Sequence, residues 1–233
     1  MKEKTTTIDS NECIEFMEKT DNILKYCQEN GITKIANGSI YSRDEKIQAF
    51  KNAKEIYIVA TTGFGLLKEL AAEALPLALE SQATINVIFP MCEDDFLADV
   101  AMAECFRDLQ DTYTHTRVEQ NKSRLNSEKE NTYELLREAL KRVGEKKEKF
   151  LGSITCYNSR TLLRQTVVLV ITDENSSWGW INMTMPPFFT GDTMSIAFSG
   201  QMVKNRLDDK ILRYCNSLMQ VAQLGQEQVI PIG

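Results

Sequence analysis

Residues 55–65 read EIYIVATTGFG, and no other stretch of the chain narrows the possible folds as far. Ile56, Tyr57, Ile58, Val59 and Ala60 form an almost unbroken apolar, largely β-branched run. Such a run predicts a strand buried on both faces, as in a parallel sheet. It ends in Thr61-Thr62-Gly63-Phe64-Gly65 and passes into LLKELAAEALPLAL, which has helical composition. A strand, a glycine-bearing turn and a helix start present backbone N–H groups beyond the strand's carboxyl end. That is where α/β proteins tend to hold anionic ligands. Lys68, one turn further on, adds an ammonium to the same neighbourhood.

The rest of the pattern is consistent with this unit. TINVIFP, residues 84–90, is a second apolar strand. A helix over 66–81, with Pro76 kinking it, would complete a parallel βαβ unit. Upstream, a helix capped by Asp9 or Ser10 runs to about Glu29 and stops at Asn30-Gly31. A turn at Asn37-Gly38 and a short helix from about Asp44 follow. Downstream, 93–109 reads as a helix. The stretch 113–149 is long, polar and helical, with a thin apolar stripe that predicts either a solvated helix on the core or a helical pair or dimerisation arm. FLGSITCY, LLRQTVVLVIT, WGWINMT and TMSIAFSG are four closely spaced strand patterns, expected to pair antiparallel, and a helix over 205–224 ends the domain. The expected organisation is an N-terminal helical segment (1–36), an α/β main domain (37–224) with a charged helical insertion at 113–149, and a loose tail (225–233).

A chain of 233 residues can bury a substantial core, and a formal charge of −6 argues against general nucleic-acid binding. The six cysteines contain no CxxC pair, and His115 is the only histidine, so no zinc site of usual spacing is expected. Buried free thiols in a reducing cytoplasm fit better. The opening MKEKTTTIDSNE lacks the apolar core of a signal peptide, and no run is long enough to span a membrane. A cytoplasmic protein is expected.

Most catalytic motifs are missing. No GK[ST] follows the glycine turn, and Lys68 stands where GxGxxG would place its third glycine. GxSxG, HExxH and EF-hand loops do not occur, and His115 lies in the polar run DTYTHTRVE. Arg160 and Arg164 are the better candidates for ligand contact. They stand between two strands among hydroxyl and amide groups, and guanidinium forks suit phosphate or carboxylate oxygens. Arg43, in the turn YSRDE, is a third basic candidate. Trp178 and Trp180 share one face of a strand and fit core packing under a helix better than base stacking. Residues 186–192, PPFFTGD, read as a loop over a pocket mouth. The candidate ligand contacts are therefore Thr61, Thr62, Gly63, Phe64, Gly65, Lys68, Arg160, Arg164 and Arg43, with no catalytic residue, metal site or cofactor assigned.

The stretches IYSRDEKIQAFKNAKEIYIVATTGFGLLKE, INVIFP and LRQTVVLVITDENSSWGWINMTMPP together resemble a phospholipase D-like domain of the compact bacterial kind, over roughly Gly38 to Ala222. The resemblance implies an α/β/α sandwich with a mixed sheet, often paired two-fold across the active-site edge. Catalytic members carry HxKxxxxD, whose histidine attacks phosphorus. Here the run from His115 reads HTRVEQNK, with Lys122 in the aspartate position, so no catalytic residue carries over. The expectation is a degenerate, non-catalytic member that binds a small anionic ligand, a nucleotide or another phosphorylated metabolite, as a homodimer. Two rivals stand beside it: a metal-dependent nuclease or phosphoesterase using carboxylates, and an interaction module acting through its charged helix.

Overall fold

The computed structural model describes residues 21–90, 101–102, 115–144, 152–159, 165–172, 175–183, 194–224 and 230–231. Helix α1 covers residues 21–29 and ends where Asn30-Gly31 caps it, with Gly31 at a φ of +67°. Then come β1 (Ile32–Asn37), α2 (Arg43–Lys51), β2 (Ala53–Val59), α3 (Phe64–Leu70), α4 (Ala74–Glu80), β3 (Thr84–Pro90) and α5 (His115–Gly144). β4 (Ser153–Ser159), β5 (Gln165–Thr172), β6 (Ser176–Met183), β7 (Met194–Gln201), α6 (Leu207–Leu224) and β8 (Ile230–Pro231) complete the chain.

The strands form one mixed sheet in the order β1-β7-β6-β5-β2-β3-β4-β8. β2, β3 and β4 are mutually parallel, and every other neighbouring pair is antiparallel. Alternation along the central strands divides the core in two. Ile56 and Ile58 of β2 join Phe50, Leu67, Leu75 and Leu136 on the face covered by α2 to α5. Tyr57 and Val59 join Ile211, Cys215 and Leu218 on the face covered by α6. Strands wholly buried by helices on both sides read as continuous apolar runs, which is the pattern of β2, β3 and β5.

Several sequence expectations change. Residues 32–37 form an edge strand, and Asn37-Gly38 ends it. The four late strands do not all pair antiparallel, because β4 continues the parallel set beside β3. The helix expected over 66–81 is two helices separated at residues 71–73. Pro76 is the third residue of α4, inside the first turn where the missing N–H costs nothing, so it helps to start a helix rather than kink one. The stretch from His115 to Gly144 is a single helix. Its buried Tyr133, Leu136, Ala139 and Val143 join the core, as expected of a helix packed on it. The tail is not wholly loose, since Ile230 and Pro231 pair with Cys156 and Thr155 of β4. The expected helix at 93–109, other than helical residues 101–102, and the loop 186–192 lie outside the described residues.

Candidate ligand pocket

Strand directions bring the carboxyl ends of β1, β2, β3, β4 and β6 and the amino ends of β5 and β7 to one edge of the sheet. A cavity of about 470 Å³ opens there on the α2–α3 side. Three pieces of chain build it: the β1–α2 connection (Gly38, Ser39, Ile40, Tyr41), the β2–α3 turn with Leu66 and Glu69, and the sheet face (Thr166, Trp180, Asn182). Lys46 of α2 also lines it.

Five of the nine expected contacts line it: Thr61, Thr62, Gly63, Phe64 and Gly65. Gly63 takes a φ of +67°, which glycine adopts freely and a β-branched residue does not. The turn is held from outside the cavity by α5. Thr62 Oγ1 donates to Glu128 Oε2 at 3.0 Å, and Thr132 Oγ1 donates to the Thr62 carbonyl at 2.9 Å. Behind it, buried Lys129 donates to Asn158 Oδ1 at 2.7 Å beside the Phe89 ring, which ties α5 to the ends of β3 and β4.

Two expected contacts are elsewhere. Lys68 is exposed in the last turn of α3, with its ammonium 5.8 Å from the centre of the Phe64 ring, and it does not line the cavity. Spacing along a helix is the reason, since Glu69 and not Lys68 faces inward. Arg43 is drawn to Glu73 of the α3–α4 junction at 3.2 Å, on the outer surface. Arg160 and Arg164 lie outside the described residues. In the sequence Arg160 follows Ser159, the last residue of β4, and Arg164 precedes Gln165, the first of β5.

The residue that sequence reading missed is Lys46. Its side chain is 8% exposed, and its ammonium lies 3.0 and 2.8 Å from the two oxygens of Glu69. The same ammonium sits 5.8 Å from the centre of the Trp180 ring. A buried lysine that keeps its charge needs a close carboxylate, and Glu69 supplies it. The signal was available: Lys46 stands four residues before Phe50 and next to Ile47, on the stripe of α2 that faces the core. Trp178 and Trp180 do share one face, in edge contact at 5.4 Å, and Tyr41 packs on Trp178 at 4.2 Å. Trp180 is 3% exposed, so it packs beneath α2 and offers no free ring face. Burial raises the Tyr41 hydroxyl above its ordinary value, partly offset by a hydrogen bond with Thr33, so it stays neutral at physiological pH.

Among the described residues no group of three or more His, Cys, Asp or Glu gathers as a metal site would need, and no helix is long and apolar enough to cross a membrane. Comparison with protein-family models and with curated proteins finds no match for the chain.

Proposed function

We propose that this chain is a non-catalytic, phospholipase D-like ligand-binding or regulatory protein whose pocket takes a small anionic ligand. The observation that carries the reading is the position of the cavity. It lies at the carboxyl end of β2, against the glycine turn and beside β5 and β6, and open α/β sheets bind ligands at the carboxyl ends of their strands. The described lining carries one cation and one carboxylate, Lys46 and Glu69, and is neutral as it stands. Arg160 and Arg164 are the residues that would add the positive excess an anion needs, and Thr166, two residues after Arg164, already lines the cavity. The single histidine has neither the lysine nor the aspartate of the phosphohistidine motif after it, so binding without turnover is the consistent reading. Two-fold pairing of two chains across this edge belongs to the same proposal, and light scattering in solution reads it directly.

The test is thermal unfolding against a panel of nucleotides, sugar phosphates and plain phosphate, with and without magnesium. A ligand at one hundred times its dissociation constant adds about 2.7 kcal/mol, visible as a raised midpoint. The double variant Arg160→Ala, Arg164→Ala should fold and lose the shift. A panel that leaves the midpoint unchanged would end the anion-binding reading.

A further inference from the structure

The polar groups around the cavity are unevenly satisfied. Both oxygens of the Glu69 carboxylate are taken by the Lys46 ammonium, at 3.0 and 2.8 Å. On the sheet wall the position is reversed, because donors there lack acceptors. Thr166, Trp180 and Asn182 all line the cavity, and among the described residues nothing accepts from the Thr166 hydroxyl, the Trp180 indole N–H or the Asn182 amide NH₂. Trp180 is 3% exposed. Buried N–H groups are nearly always hydrogen-bonded, so this indole marks a place for an acceptor that the protein itself does not supply. The cavity is the open space beside it.

Strand pairing gathers the three donors. Trp180 and Asn182 are two residues apart on β6 and so share a face, and Thr166 of β5 stands directly across from Asn182. Neighbours in this set are therefore within about 7 Å of each other at Cβ. The amide is oriented from β7. The Ser195 hydroxyl, fully buried, donates to Asn182 Oδ1 at 2.8 Å in a three-centre bond shared with the Gly38 carbonyl at 2.6 Å. With its oxygen held by Ser195, Asn182 keeps its NH₂ for the cavity.

We infer that this wall receives a carboxylate of the ligand, with Asn182, Thr166 and Trp180 donating to its two oxygens. Counting protons selects the class. The three groups offer four, and a carboxylate has about four acceptor sites where a neutral carbonyl has two. Charge selects against a phosphate dianion. The donors are neutral, and the only formal charges among the described lining residues, Lys46 and Glu69, cancel. A dianion would need a net cation that this wall lacks, and Glu69 would repel it. A single negative charge is met by hydrogen bonds and by the Lys46 ammonium, 5.8 Å from the centre of the Trp180 ring. A carboxylate site deepens the anion-binding reading and rests on it, and each donor belongs to β5 or β6.

Trp178 and Trp180 are the only tryptophans of the chain, so the site can be watched directly. In proton–nitrogen correlation spectra of the labelled full chain, the Trp180 indole signal is the one that survives in Trp178→Phe. It should move downfield and saturate as acetate is added. Acetamide and inorganic phosphate should each act on it with at least about tenfold weaker affinity. Thr166→Val removes the hydroxyl at nearly constant shape and should weaken acetate by about fivefold to tenfold. Asn182→Leu covers the case in which that variant fails to fold, and it should weaken acetate to a similar extent. An indole signal that ignores acetate, while phosphorylated ligands raise the unfolding midpoint, would overturn the carboxylate site and leave anion binding standing. Equal affinity for acetate and acetamide, or unchanged acetate affinity in either folded variant, would overturn it too. No response to acetate or to any phosphorylated ligand would overturn both readings.

Discussion

Gly179 separates the two tryptophans of β6, and its missing side chain is what allows the sheet to close there. A Cβ at this position would lie 2.1 Å from the Val168 carbonyl oxygen and 2.7 Å from the Phe198 ring. The first contact is with backbone, which cannot swing away as a side chain can. Gly179→Ala should therefore cost about 2–4 kcal/mol in urea unfolding, at the upper end for an overpacked core. An effect below about 0.5 kcal/mol would show that β5 and β6 are not paired in this register. The sequence displays Trp-Gly-Trp plainly, and the shared face of the two rings follows from strand periodicity alone. The contact that excludes a side chain does not, because Val168 and Phe198 reach Gly179 only through pairing of β6 with β5 and β7. The partner of Lys46 was hidden for a related reason. Its place on the core-facing stripe of α2 is local, but Glu69, which stands opposite it, is 23 positions away.

At the scale of elements, α2 matters because it positions Lys46 while being short and polar. Its first turn is secured by a capping box: Ser42 accepts from the Glu45 N–H, and the Glu45 carboxylate accepts from the Ser42 N–H at 2.7 Å. The hydrogen bonds from Ser42 hold the Glu45 carboxyl below its usual range, so the box stays charged at neutral pH. Ser42→Ala should lower stability by about 1 kcal/mol, and Ser42→Asp should restore most of it, both measured as urea midpoints. If the two variants unfold alike, the cap is not what holds this turn. Elements of this kind were largely legible. The apolar runs of β2, β3 and β5, the Gly31 stop and the long period of α5 all follow from local chemistry. β1 was not, because ITKIAN is mostly exposed at the sheet edge and carries little apolar signal. Placement of β4 beside β3 was not legible either, since nothing local distinguishes a parallel from an antiparallel partner. The glycine turn was found as part of the pocket, whereas its ties to α5 through Thr62 and Thr132 join positions 66 and 70 residues apart.

The whole molecule carries a thiol in each of its two apolar layers, and together they report on both at once. Cys156 is buried among the residues under α2 to α5, and Cys215 among those under α6. Burial pushes each thiol from 9.0 up to about 12. A thiol that is neutral in the folded state holds its proton more tightly there than in the unfolded chain. Above about pH 9 the unfolded chain releases these protons while the native state keeps them, so the stability they contribute is complete below pH 9 and is lost as pH rises towards 12. The slope is about 1.4 kcal/mol per pH unit for each thiol once the unfolded state is ionised. Burial also raises Tyr57, Tyr157 and Tyr214, but from 10.0, so their loss begins about one unit later and the first part of the fall belongs to the cysteines. Urea midpoints should be level from pH 7 to 8.5 and then decline. Cys156→Ala and Cys215→Ala, made singly, should each reduce the early slope, because the layers share one sheet and unfold together. A midpoint that stays level to pH 10.5 would mean that neither thiol is buried as placed. A decline cancelled entirely by one substitution would mean that only that layer is closed, and that the sheet does not couple the two.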